Sequence, residues 1–232
     1  MRTVLITGAS RGIGRATALA LAAPGKRLVL AARTAEALEE VAAAVRARGA
    51  EAEAVPCHVT AEPHVRRLTT MAAAATGQID LVIHSVGGAL VAPFDRIDLG
   101  DWEEALRSQL TSLFLVCKHS VPHMSAGGLL VGIASVAARQ AFPGWAAYSA
   151  AKHGVLGFLA AIREELRPRG IRVTAVLPAA TDTALWDKVP GSWDRRAMLR
   201  PEEVATAIAN LADYPAHVAV EELTVGHVAG RL

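Results

Sequence analysis

Two cysteines, Cys57 and Cys117, are all that the 232 residues contain, and they lie far apart in apolar surroundings. Neither a disulfide framework nor a cysteine-based metal knot is on offer; two buried thiols in a reducing compartment remain as the reading. Runs of one charge are missing too. The 24 Lys and Arg and 22 Asp and Glu are scattered along the chain for a net charge of +2, which leaves no basic stripe to follow a phosphate backbone. Nucleic acid is not an expected partner. Nor is there an apolar run fit for a bilayer. The charge-free interval between Lys118 and Arg139 is cut by Pro122, His123, Gly127 and Gly128, so it reads as a helix end, a turn and a buried strand, and no membrane contact is expected. Met1-Arg2-Thr3-Val4-Leu5-Ile6-Thr7 runs straight into a glycine loop without a signal peptide's apolar core; a cytoplasmic setting is the expectation. His119 and His123 have the four-residue spacing of a helical metal pair, but no third ligand accompanies them, and no metal is expected.

What is plentiful is alkyl side chain. Hydrophobic residues make up 52% of the chain against 20% charged, more than a monomer of this size hides easily, so a homodimer or homotetramer is expected. The length suits one domain over 1–232. Short apolar runs at 3–7, 27–32, 52–56, 81–84, 129–134, 172–177 and 222–225 read as strands. Alanine-rich stretches at 12–23, 35–48, 61–75, 101–124, 147–167 and 201–214 read as helices, punctuated by Gly25, Gly49, Gly77 and Gly170. This alternation predicts an α/β fold, a Rossmann-type, doubly wound, seven-stranded parallel sheet with helices on both faces. The strands are continuous apolar runs, as in sheets covered on both sides. Residues 179–199 show no period and contain Trp186 and Trp193; they read as a substrate loop or lid.

Directly after the first strand comes Thr7-Gly8-Ala9-Ser10-Arg11-Gly12-Ile13-Gly14, opening a helix. Glycines there allow a tight turn and a close backbone approach, so the helix amides can face a pyrophosphate. The spacing, Gly-xxx-Gly-x-Gly, differs from the commoner dinucleotide fingerprint. At the end of the second strand, where a carboxylate would hold ribose hydroxyls, the chain reads Leu30-Ala31-Ala32-Arg33-Thr34. A guanidinium can grip a 2′-phosphate that an acid would repel, with Arg11 as a second clamp, so NADP(H) is expected over NAD(H).

Tyr148 and Lys152, four apart at the start of a helix, share a face, and Ser135 ends the fifth strand. A phenol that acts near neutrality needs its pKa lowered by about three units. An ammonium and an oxidised nicotinamide both pull in that direction, which makes Tyr148 the acid/base and Lys152 its activator, while Ser135 hydrogen-bonds the substrate oxygen.

Glycine loop and Ser135…Tyr148-Ser149-Ala150-Ala151-Lys152 together closely resemble the short-chain dehydrogenase/reductase family over nearly the whole chain. The resemblance implies strand order 3-2-1-4-5-6-7, a nicotinamide hydride carrier, a ketone or secondary-alcohol substrate, and dimers or tetramers built on the long helices. It puts His58 and Val59 near adenine, and Ser85 and Gly87 along the cofactor after the fourth strand. Pro178, Thr181 and Thr183 would lie near the nicotinamide, with Thr183 on its carboxamide or on the pyrophosphate. Several positions depart from the family pattern. His84-Ser85-Val86-Gly87 stands for Asn-Asn-Ala-Gly, Ala179 for a glycine, and Gln109 for the asparagine of a proton relay. The ending from Glu221 to Leu232 lacks Asp-Gly-Gly. Trp145 and Trp186 are the substrate-wall candidates, joined by Val91, Phe94 and Phe142. Leu185, Val189, Trp193 and Met198 could serve core or pocket, and Lys188, Arg195 and Arg196 a solvated face or an acidic substrate. A second reading stays open: a nucleotide-binding regulatory or scaffold protein with little turnover.

Overall fold

The computed structural model describes residues 1–228; the expected readings of Ala229 to Leu232 lie outside the described residues. The chain alternates β1 (Arg2–Thr7), α1 (Gly12–Leu21), β2 (Lys26–Ala32), α2 (Ala35–Arg46), β3 (Glu51–Pro56), α3 (Glu62–Ala74), β4 (Leu81–His84), α4 (Leu99–Leu106), α5 (Ser112–Ser120), β5 (Leu129–Ile133), α6 (Ala146–Leu166), β6 (Arg172–Pro178), α7 (Pro201–Leu211) and β7 (Glu222–Val225). The strands form one seven-stranded sheet in the order β3-β2-β1-β4-β5-β6-β7, and every neighbouring pair is parallel. Fold class and strand order are those expected.

Alternate residues of the same strand feed two cores. Leu5, Val29, Val82, Leu130 and Val173 pack with Leu68, Val116 and Leu159 from α3, α5 and α6. Ile6, Leu28, Ile83 and Val131 pack with Ala18, Val41 and Ile208 from α1, α2 and α7. Every residue of β5 and β6 is buried, which is why these strands read as unbroken apolar runs. Because β1 lies between β2 and β4, the winding reverses there, and a crevice opens at the carboxyl ends of the strands.

One expected helix is wrong in an informative way. The stretch 101–124 is not continuous: α4 starts two residues earlier, where the Asp98 carboxylate caps it by accepting from Asp101 N at 2.8 Å. It then passes into a wider π turn over Arg107–Thr111 before α5, and ends in a 3-10 turn at Val121–His123 around Pro122. Smaller corrections follow local chemistry, such as α1 stopping at Leu21 ahead of Pro24. Residues 179–199 hold only two short 3-10 turns, and their two ends meet in a parallel bridge between Thr181 and Leu199.

Candidate active site

The loop between β1 and α1 is pressed against the extension of β4. Gly8 has φ +75°, and a Cβ there would stand 2.3 Å from the Ser85 carbonyl oxygen; a Cβ on Gly14 would stand 2.2 Å from the Gly8 oxygen. Any side chain at either position would push the turn out of shape. Arg11 provides no side-chain cap for α1, so the first-turn amides of Gly12, Ile13 and Gly14 remain available to an anion. The Thr183 methyl lies 3.2 Å from where a Cβ on Gly12 would be, which sets the start of the 179–199 loop beside the glycine turn. Ser10 is half-buried beside it.

Arg33 is exposed just beyond β2, and Arg11 is exposed at the head of α1. Neither is among the ion-paired cations of the described residues. His58, two residues past β3, is exposed with its ring edge-on to His64 at 6.0 Å, and Val59 beside it is buried. These features fit a dinucleotide: a glycine cradle that a Cβ would fill, an uncapped helix start, and two free guanidinium groups at the adenosine end.

At the other end of the crevice four polar side chains converge. Ser135 starts the 3-10 turn after β5, and its Oγ accepts from Ala137 N at 3.1 Å. The Tyr148 phenol lies near enough for Ser135 to draw its pKa downward. Lys152 is buried beneath, with Nζ 5.6 Å from the Tyr148 ring centroid and donating to the Ile133 carbonyl at 2.9 Å. Gln109, on the π turn, is 2% exposed, and its Oε1 has no hydrogen-bond partner.

The expected fall of the Tyr148 pKa is not a property of the chain alone. Burial pushes the phenol above its ordinary value, with the Ser135 hydrogen bond pulling the other way. Burial also brings Lys152 down to about 8. Both groups lean toward their neutral forms because desolvation opposes charge and no other fixed charge outweighs it.

His84 takes over the bracing expected of an asparagine. It is fully enclosed, with Nδ1 2.9 Å from Thr7 Oγ1 and Nε2 3.0 Å from Ser112 Oγ. Ser112 donates its own hydrogen to the Ser108 carbonyl at 2.6 Å, so Nε2 carries the imidazole proton and Nδ1 accepts from Thr7. Burial and the charge of Lys152 lower its pKa to about 3. Thr7 and Ser112 were not singled out by sequence reasoning. The signal was faint: serines at 108 and 112 flank Gln109 with helical spacing.

The loop 179–199 meets this end through rings. Trp145 meets Tyr148 edge-on at 5.2 Å, Trp186 meets Trp145 at 5.8 Å, and Trp193 meets Trp186 at 4.9 Å. Arg195 stays partly exposed, as expected of a solvated face, but it is ion-paired there. It donates to Asp182 at 2.5 Å, to the Thr183 carbonyl at 3.1 Å and to Asp187 at 2.6 Å. Thr181 turns its hydroxyl to the Ala179 carbonyl at 2.9 Å instead of into the crevice, and Pro178 closes β6, buried. A hollow of about 160 Å³ lined by Arg2, Asp80, Arg172 and Tyr214 lies at the opposite, amino-terminal end of the sheet, away from Tyr148. His119 binds Glu62 at 2.9 Å, and no metal-ligand cluster occurs among the described residues.

A doubly wound sheet whose crevice holds a glycine cradle at one end and a Ser-Tyr-Lys group at the other defines a dinucleotide-binding oxidoreductase. The sequence profile of the family described as short chain dehydrogenase matches residues 2–192, and the chain belongs to that family. It is similar to a 3-oxoacyl-[acyl-carrier-protein] reductase of Synechocystis, 36% identical over 93% of this chain and 90% of the relative. A cis-4-hydroxycyclohexanecarboxylate dehydrogenase of Sinomonas cyclohexanicum is 37% identical over 91% and 89%. Among solved structures, an alcohol dehydrogenase of the archaeon Thermococcus sibiricus in complex with 5-hydroxy-NADP superimposes with TM-score 0.92 at 27% identity, covering 100% and 99% of the two chains. A short chain dehydrogenase of Burkholderia cenocepacia in complex with NADP gives TM-score 0.88 at 26% identity over 97% and 96%. The family binds a nicotinamide cofactor, and its members are dehydrogenases and reductases.

Proposed function

We propose that this chain is an NADP(H)-dependent oxidoreductase that interconverts a ketone and a secondary alcohol, with Tyr148 as acid/base. The observation that carries the reading is the convergence of Ser135, Tyr148 and Lys152 in the crevice, with Lys152 Nζ 5.6 Å from the Tyr148 ring centroid and tethered to the Ile133 carbonyl. Gly8, Gly12, Ile13 and Gly14 would hold the pyrophosphate, with Ser10 and Thr183 beside it; Arg33 and Arg11 would take the 2′-phosphate; His58 and Val59 would flank adenine. Ser85, Gly87, Pro178 and Thr181 would line the nicotinamide half. The bound nicotinamide supplies the hydride.

The chain's own residues do the rest. Ser135 fixes the substrate oxygen, and Tyr148 delivers or takes the proton at that oxygen. Lys152, already tethered to Ile133 O, holds a positive charge beside the phenol; the positive charge of oxidised nicotinamide adds to it, supplying the downward pull on Tyr148 that the chain lacks by itself. Gln109 completes the path by which Lys152 is reprotonated. Residues 1–232 act as one domain, with 179–199 as its lid. The exposed Trp102 and Phe114, the latter edge-on to Phe158 across α5 and α6 at 6.1 Å, support a homodimer or homotetramer joined through these helices. Two buried cysteines agree with a cytoplasmic setting. No helix of the described residues is long and apolar enough to cross a membrane.

Oxidation of NADPH by purified protein, followed at its absorbance band with a broad carbonyl panel, tests this reading. Tyr148→Phe is expected to lower kcat by at least about a hundredfold with NADPH affinity retained. Arg33→Asp is expected to weaken NADPH by about ten- to a hundredfold and to leave NADH unharmed, since one charge-assisted pair is lost and a repulsion gained. Turnover that survives Tyr148→Phe would sink the assignment, and so would NADPH binding with no turnover of any carbonyl.

A further inference from the structure

We propose, resting on the carbonyl reading above, that the site selects an uncharged ketone bearing a flat aromatic ring, which packs against Trp145 and Trp186 beside Tyr148. The argument starts from scarcity. Aromatic residues are 4% of the chain, with four tryptophans and two tyrosines in all. Three of those tryptophans and one tyrosine nevertheless form a single chain of ring contacts that leads from the Tyr148 ring outward to Trp193. Neighbouring rings are inclined by 75°, 58° and 57°, edge-to-face or tilted arrangements that leave ring faces open at the margin. Trp145 and Trp186 are half-buried, not sealed into a core.

The rings offer surface and little polarity. Trp186 Nε1 donates to the Thr181 carbonyl at 3.0 Å, and Trp193 Nε1 to the Pro190 carbonyl at 3.2 Å. Both indole donors of the lid are thus spent on backbone, and what they present to a ligand is a π-face and its edge.

The lid's charges are spent as well. Arg195 is shared between Asp182 and Asp187. Asp194 caps the turn at Arg196 N, and the Arg196 side chain is 97% exposed, directed into water. Lys188 lies on the exposed side of the turn that carries Trp186. Lys152 is bound to Ile133 O behind Tyr148. Among the described residues of 179–199, the cations are paired or turned outward and two of the carboxylates are on Arg195, so this segment presents no unpaired buried charge to a substrate carboxylate, phosphate or ammonium, and burying such a group against its rings would be costly. A neutral aryl group meets no such cost and gains ring–ring attraction on top of its apolar burial.

The test compares carbonyls that are equally reactive. Benzylacetone and its cyclohexyl twin differ only at a ring remote from the ketone. With NADPH, kcat/KM for benzylacetone is expected to exceed that of the saturated twin by about two- to tenfold. Benzylacetone carrying a para-carboxylate or a para-trimethylammonium group is expected to fall below the neutral compound. Trp186→Leu should erase the aryl preference and Trp186→Phe keep it, with NADPH affinity by nicotinamide fluorescence unchanged in both as proof that the site is folded. A saturated or charged substrate that equals or beats benzylacetone overturns the proposal, as does an aryl preference that outlives both Trp186→Leu and Trp145→Leu. If NADPH binds but no carbonyl turns over, it is the oxidoreductase reading that fails. The aryl proposal is then decided by calorimetric affinities of benzylacetone and its twin for the NADP⁺ complex, where equal affinities overturn it.

Discussion

Gln109 Oε1 and Lys152 Nζ aim at one spot, each 3.5 Å from the position a Cβ on Gly87 would occupy. One is a buried acceptor without a partner; the other is an ammonium that has placed a single hydrogen bond on Ile133 O. An orphaned acceptor inside a protein carries a cost, which it recovers when a donor arrives. On the proposed function, Lys152 would supply that donor directly or through one water when it regains a proton. Gln109→Leu removes the acceptor and keeps the volume. It is expected to lower kcat by about tenfold or more, to enlarge the solvent isotope effect, and to leave NADPH affinity as it was. Gln109→Asn, whose amide is one methylene short of the spot, should fall between the two. Unchanged kcat and isotope effect in Gln109→Leu would remove Gln109 from the proton path.

What was legible in the sequence is what local chemistry decides. The strand runs, the glycine spacing and the Tyr148–Lys152 interval are readable because each depends on neighbours within a few residues. The π turn at Gln109 is not, because it is held from outside the helix: Ser112 bonds to His84, 28 positions away, as well as to Ser108 O. The ion pairs of Arg195 were hidden for a related reason, since Asp182 and Asp187 face it only after residues 179–199 have folded back on themselves. The direction of the Tyr148 pKa was missed because burial, which no spacing reveals, dominates it.

His84 gives the fold a pH dependence whose sign can be worked out. Its folded pKa of about 3 lies below the ordinary 6.5, so between those values the unfolded chain binds a proton that the folded chain refuses. Stability therefore rises with pH across the window and is lost as the pH falls from about 6.5 toward 3. Between about pH 7 and about pH 5 this one residue accounts for up to about 2 kcal/mol. Urea unfolding at the two pH values should show His84→Asn losing a large part of the wild-type difference. Equal pH dependence in the two proteins would mean that His84 is protonated in the fold at little cost.

Arg195 ties the proposed lid, residues 179–199, to itself beside the nucleotide loop. Its guanidinium joins Asp182 near the lid's start to Asp187 after the Trp186 turn, and it also holds the carbonyl of Thr183, whose methyl rests against Gly12. The side chains involved are partly exposed, so the pairs add little to global stability; their effect is on where Trp186 and Trp193 stand. A latch of this kind acts on capture of the substrate and not on the proton transfer at Tyr148. Arg195→Ala is therefore expected to raise KM for the carbonyl severalfold, with kcat changed less and the melting temperature nearly constant. Arg195→Lys, which keeps a charge but cannot span both aspartates and the carbonyl with one rigid fork, should recover only part of the loss. High salt should raise the wild-type KM toward that of Arg195→Ala and leave the alanine variant almost unmoved, because only the wild type has ion pairs there to screen. A fall in kcat with KM unchanged would instead place Arg195 in the chemistry, and a variant identical to wild type in both would show that the lid keeps its shape without it.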